Sequence, residues 1–81
     1  MKVKIRVFAG LREAVGREEL DLELPEGATV AIAIDRMVET WVAAADYRDR
    51  LLLARNHEYV DAETPLADGD ELGVFPPVSG G

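Results

Sequence analysis

KVKIRV, residues 2–7, alternates basic and apolar side chains, with Lys2, Lys4 and Arg6 on one side and Val3, Ile5 and Val7 on the other. A period of two is that of a strand with one face buried and one in water. EELDLEL, residues 18–24, repeats the period with the opposite charge: Leu20, Leu22 and Leu24 against Glu19, Asp21 and Glu23. Antiparallel pairing of the two puts a basic row beside an acidic row on the solvated face. Such pairs contribute ~0.2–1 kcal/mol each, and they set register more than stability. The connection AGLREAVG, residues 9–16, reads as a loop with glycine near both ends.

Further along, PEGATV (25–30) breaks the strand: Pro25 and Gly27 make a turn and Thr29 is placed to cap a helix. Val30, Ile34, Met37, Val38 and Trp41 then fall on one helical stripe, which reads Met37 and Trp41 as core. Ile32 points off that stripe. The helix is expected to fade near residue 45. LLLARNHEYV (51–60) reads as strand, a turn at Asn56-His57, and a short strand. TPLADGDEL (64–72) is a second turn around Gly69, and ELGVF (71–75) is a last strand with Leu72 and Val74 inward.

The order strand, strand, helix, strands predicts an α+β domain, a mixed sheet with one main helix packed on one face. The closest analogy for this order is the ubiquitin-like β-grasp, in which the first and last strands lie parallel at mid-sheet. Parity then puts Phe8 with Lys4 and Arg6, and Phe75 with Glu71 and Gly73, both on the open face at the ends of their strands. Leu11 in the adjacent connection is expected to join them. The rings either cover the sheet end or mark a partner site. An exposed apolar patch where the chain leaves the body favours the second.

Composition bounds the function. With 81 residues the chain is one domain, burying somewhat over ~60% of its unfolded surface, and 48% hydrophobic residues suit a globular fold. There is no cysteine, hence no disulfide, thiolate nucleophile or zinc-finger ligand of that type. A net charge of -7 argues against nucleic acid as partner. No apolar run is long enough for a membrane, and MKVKIRVFAG is no signal peptide, so a cytoplasmic protein is expected. His57, the one histidine, has no partner for catalysis or metal binding. Asp68, Asp70 and Glu71 lack the twelve-residue spacing of a calcium loop and read as a solvated turn.

VFAGLREAVG (7–16), PEGATV (25–30), LADGDEL (66–72) and above all FPPVSGG (75–81) resemble the small subunit of molybdopterin synthase, a ubiquitin-like, thiocarboxylate-forming family of sulfur carriers. The resemblance runs over the whole sequence. Gly-Gly at the end arises by chance in roughly one sequence in 200, from glycine at ~7% of residues. Joined to Phe-Pro-Pro-Val and this strand order it is far rarer. Ile32 and His57 depart from the family's usual residues, and neither touches the closing motif.

This resemblance implies a domain over residues 1–75 and an extended, flexible tail over 76–81. An E1-like enzyme would use ATP to adenylate the Gly81 carboxylate, which then becomes a thiocarboxylate. The tail would enter the large subunit of molybdopterin synthase and give sulfur to cyclic pyranopterin monophosphate, within the family's usual heterotetramer. Gly81 and Gly80 are then the reacting end, and Phe8, Leu11, Phe75, Pro76, Pro77 and Val78 the partner contacts. The chain itself would be no enzyme and hold no metal or permanent cofactor. Glycines suit a narrow channel, and prolines fix φ before docking. Two other readings share an activated Gly81: a sulfur carrier for thiazole or tRNA thiolation, and a modifier joined to lysines of other proteins. The bland alternative is a binding module with an idle tail.

Overall fold

The computed structural model describes residues 1–77. Five strands form one sheet: β1 (Lys2–Val7), β2 (Glu19–Glu23), β3 (Leu52–Arg55), β4 (Glu58–Tyr59) and β5 (Glu71–Phe75), in the order β2-β1-β5-β3-β4. Helices α1 (Ala9–Val15) and α2 (Val30–Thr40) and a 3-10 segment (Val42–Arg50) complete it. The chain is an α+β, ubiquitin-like β-grasp domain: β1 and β5 run parallel at mid-sheet, and their outer neighbours run antiparallel.

The alternation that opens the chain decides which face is core. Val3, Ile5 and Val7 are buried, as are Leu72 and Val74 from β5, and they meet Val30, Ala33, Ile34 and Met37 of α2. Trp41 is half-buried and packs on the same cluster. Ile32 stays exposed, as its place off the stripe requires.

Three local expectations are corrected. Residues 9–15 are a helix rather than a loop, closed by Gly16 in the left-handed region (φ 78), whose N–H donates to the Arg12 carbonyl at 2.8 Å. α2 ends at Thr40 rather than near residue 45, and the chain continues as 3-10 helix that puts Ala44 into the core. Arg48 of that segment bonds Asp35 of α2 and ties it back. Thr29 stands at the N-cap, but its hydroxyl makes no capping bond. The orphan donors at the start of α2 go instead to a distant loop: Val30 N–H to the Thr64 carbonyl and Ala31 N–H to the Ala62 carbonyl, both at 2.9 Å.

The turns carry the register. Asn56 (φ 48) and His57 (φ 75) both adopt positive φ, the geometry of a tight hairpin. Asn56 also locks that hairpin to β5: its Oδ1 accepts from Glu71 N–H and its Nδ2 donates to Asp70, each at 3.0 Å. The acidic turn is structural rather than merely solvated. Asp68 accepts from Lys2 N–H at 2.6 Å, and Asp70 accepts from Ala67 N–H at 2.8 Å.

On the open face, β1 and β2 pair Lys2 with Glu23, Lys4 with Asp21 and Arg6 with Glu19. Arg6 bonds Glu19 directly and reaches Glu71 at 3.1 Å, while Lys4 lies 3.8 Å from Glu19. The Arg6 hydrogen bond, and after it the Lys4 charge, hold the Glu19 carboxyl below its ordinary range. A carboxyl lowered by folding stabilises the fold above its ordinary value, and the contribution disappears as pH falls through the lowered one. Glu19→Gln should therefore melt below the wild type at pH 7, and the gap between the two melting points should narrow on going from pH 7 to about pH 3. Melts followed by circular dichroism check this; an equal gap at both pH values, or none at pH 7, contradicts it.

Candidate partner-docking site

The parallel pairing of β1 with β5 sets Val7 beside Val74 and carries the two chains on to Phe8 and Phe75. The rings stack with centroids 4.5 Å apart and planes 7° from parallel. Phe8 is fixed from both sides: its N–H donates to the Val74 carbonyl at 3.2 Å, and its carbonyl accepts from Arg12 N–H at 3.3 Å as α1 begins. The next residue, Ala9, sits at φ 53, a left-handed geometry that a residue with a Cβ adopts at a cost of ~1–2 kcal/mol. The chain thus turns sharply from β1 into α1 directly after the ring.

Gly73 lies beneath the stack. A Cβ there would meet Phe75 Cε2 at 3.3 Å and Phe8 Cε2 at 3.5 Å, so the missing side chain lets both rings lie down on the sheet. β3 adds Leu52 opposite Phe75 and Ala54 opposite Gly73, and β4 adds Tyr59 opposite Ala54. Leu52 is 40% and Tyr59 78% exposed. A concavity of about 200 Å³ opens between Phe8, Phe75, Gly73, Ala54 and Tyr59, rimmed by His57 and Glu71. The Arg6–Glu71 pair lies at its border, and the Glu19 hydrogen bond raises the Arg6 guanidinium above its ordinary value, so this charge is fixed at any working pH.

Phe8 and Phe75 are therefore together on the open face, as parity required. Leu11 is not with them. It is fully buried among the core residues, because residues 9–15 coil into a helix that turns it inward. Pro76 and Pro77 follow β5 at once and are half-buried. Val78, Gly80 and Gly81 lie outside the described residues. Sequence reading missed Leu52, Ala54, Gly73 and Tyr59. Gly73, a glycine in mid-strand, was the available signal of a close approach; the others depend on the β3–β5 register, which alternation in β3 alone does not reveal.

Gly73→Val should keep the fold, since the position faces away from the core, but its branched side chain should lift the stacked rings. Binding of a partner at this face should weaken roughly tenfold or more, with the melting point little changed. Calorimetric titration checks this; unchanged affinity contradicts a docking role for the stack.

Residues 5–81 match the ThiS family. The chain is 33% identical over 81 residues to the molybdopterin synthase sulfur carrier subunit of Arabidopsis thaliana, covering 100% of this chain and 84% of that one. It is 35% identical to the subunit of the same name from Escherichia coli K12, covering 98% and 99%. Among solved structures it is similar to SAMP1 from Haloferax volcanii, with a TM-score of 0.89 at 31% identity and full coverage of both chains. The chain belongs to the ThiS family, in the company of the molybdopterin synthase sulfur carrier subunits that it resembles along its whole length.

Proposed function

We propose that this chain is the sulfur-carrier subunit of a molybdopterin synthase and works through its last residues. The observation that carries the reading is the Phe8–Phe75 stack at the root of the closing segment, together with a family match that runs to residue 81. On this reading residues 1–75 are the body and 76–81 the working tail. The chain is a non-catalytic subunit, and the catalytic groups belong to the large subunit.

The chemistry asks for little from the body. A carboxylate is a poor electrophile. An E1-like enzyme first joins the Gly81 carboxylate to AMP, releasing pyrophosphate from ATP. Sulfur from a donor then displaces AMP, leaving a thiocarboxylate. In the large subunit that sulfur passes to cyclic pyranopterin monophosphate. No side chain of the sulfur carrier takes part, which fits the reading that its surface serves docking and its end serves reaction.

Docking energetics favour a patch beside a stiff spacer. Ordering a residue costs ~1–2 kcal/mol, hence ~6–12 for a six-residue tail. Pro76 and Pro77 reduce that by fixing φ in advance. Phe8 and Phe75 are already partly buried against each other, so each returns less than the ~1.5–3 kcal/mol of full burial. Leu52 and Tyr59, more exposed, add to the return.

A second reading has one observation in its favour. SAMP1 from Haloferax volcanii, similar over the full length, is named a small archaeal modifier protein. A modifier would use the same activated Gly81 with a lysine amine as the attacking group. Isopeptide-linked adducts in cells would select that reading, and a sulfur-exchanged C terminus the first.

Given activating enzyme, ATP and a sulfur donor, intact-mass measurement should show one oxygen exchanged for sulfur. Deleting Gly81 leaves the same chemical group set back by ~3.3–3.6 Å. A ~1 Å misplacement can cost ~10²-fold in rate. The truncated chain should therefore fold and dock but transfer no sulfur. Normal product formation by the truncated chain would overturn the proposal.

A further inference from the structure

Among the described residues β2 is an edge strand with a regular, uncovered ladder. There it pairs only with β1, five residues in unbroken register, and it contains neither proline nor glycine. Its hydrogen-bond phase is set at both ends. Met1 and Leu24 exchange N–H and carbonyl bonds at 2.7 and 2.8 Å, and Val7 N–H donates to the Glu18 carbonyl at 2.9 Å. Bonded and non-bonded pairs alternate in an antiparallel ladder. Glu19, Asp21 and Glu23 are therefore the non-bonded positions, and their N–H and carbonyl groups point outward from the sheet. The same three residues carry the outermost side-chain row on the open face, and all of it is acidic.

We infer that the free edge of β2 takes an extended segment of a partner protein in which basic and apolar residues alternate. Three outward peptide groups offer main-chain bonds for an added strand. Its basic side chains would lie beside the acidic row at the strand spacing of about 4.8 Å, and about twice as far from Lys2, Lys4 and Arg6 on β1. The chain already contains this arrangement once, in Lys2, Lys4 and Arg6 against Glu23, Asp21 and Glu19. Glu19 is engaged by Arg6 and Lys4, and Glu23 by the N-terminal amine at 3.1 Å. Asp21 has no ion pair among the described residues. A concavity of about 450 Å³ opens beside Asp21 and Glu23, with Leu22 and Asp70 in its wall and Lys2 and Lys4 lining it too. A long side chain entering over the edge has room there.

Half-buried Leu20 and Leu22 give the apolar residues of the added strand a surface on the other face. A second copy of this chain is a poor occupant, because pairing two β2 edges sets acidic row against acidic row. The inference concerns the edge opposite the Phe8–Phe75 side and does not rest on the sulfur-carrier reading.

The test uses the full chain and a synthetic peptide alternating Lys or Arg with Val or Ile, about six residues long to span β2 at ~3.3 Å per residue. Amide exchange by NMR should show new protection at Glu19, Asp21 and Glu23. A peptide of the same composition with the alternation scrambled should bind roughly tenfold more weakly or worse. Asp21→Pro removes an outward N–H that no β1 bond uses, a position where an edge strand accepts proline. It should abolish binding while the melt shows the fold intact. Asp21→Lys, which keeps the backbone donor, should weaken binding by about tenfold or more. Equal binding of the scrambled peptide, binding unaffected by both substitutions, or protection elsewhere than β2 would overturn the inference and leave the acidic row as a guard against self-association.

Discussion

The parallel pairing of β1 with β5 is the constraint on which the rest depends. It joins the first strand of the domain to the last, 67 positions apart, with Val7 beside Val74 and Phe8 stacked on Phe75. Such a contact closes almost the whole chain, so it forms only if the core rewards it. The reward is visible on the helix side, where Ile5, Val7, Leu72 and Val74 are all buried under α2. On the other side the same pairing leaves two half-buried aromatic rings stacked together on the open face. One backbone interaction thus builds the core and the candidate docking face at once.

Strand alternation made most of this legible. KVKIRV and EELDLEL each state their face residue by residue, and the observed register pairs them as charge suggested. The parity of Phe8 and Phe75 followed once the parallel pairing was assumed. The connection at 9–15 was not legible, because its seven residues bury a single side chain, Leu11, and two turns cannot display a periodicity. Leu11 was accordingly assigned to the wrong face. Thr29 shows a different failure. It is a good capping residue by type, but the loop at 62–64 supplies the carbonyls, a tertiary contact that no local pattern encodes. Gly73 was legible in principle, as a mid-strand glycine that signals close approach.

Charge organises the open face into regions. Acidic β2 forms the outer border, basic β1 neutralises it from inside, and the apolar ground lies toward β5, β3 and β4. Arg6 is the boundary post, bonded to Glu19 on one side and paired with Glu71 on the other. A net charge of -7 surrounds a small uncharged patch. Long-range charge and short-range apolar contact are thus carried by different residues.

A double-mutant cycle on the stack tests the central claim most directly. Affinity for a molybdopterin synthase large subunit would be measured for the wild type, Phe8→Ala, Phe75→Ala and the double variant, with circular dichroism as the folding control. Two rings 4.5 Å apart that dock as one unit should not act independently. Each single change should weaken binding roughly tenfold or more, and the double variant should lose clearly less than the product of the two. Single variants that fold and bind as the wild type does would contradict the account.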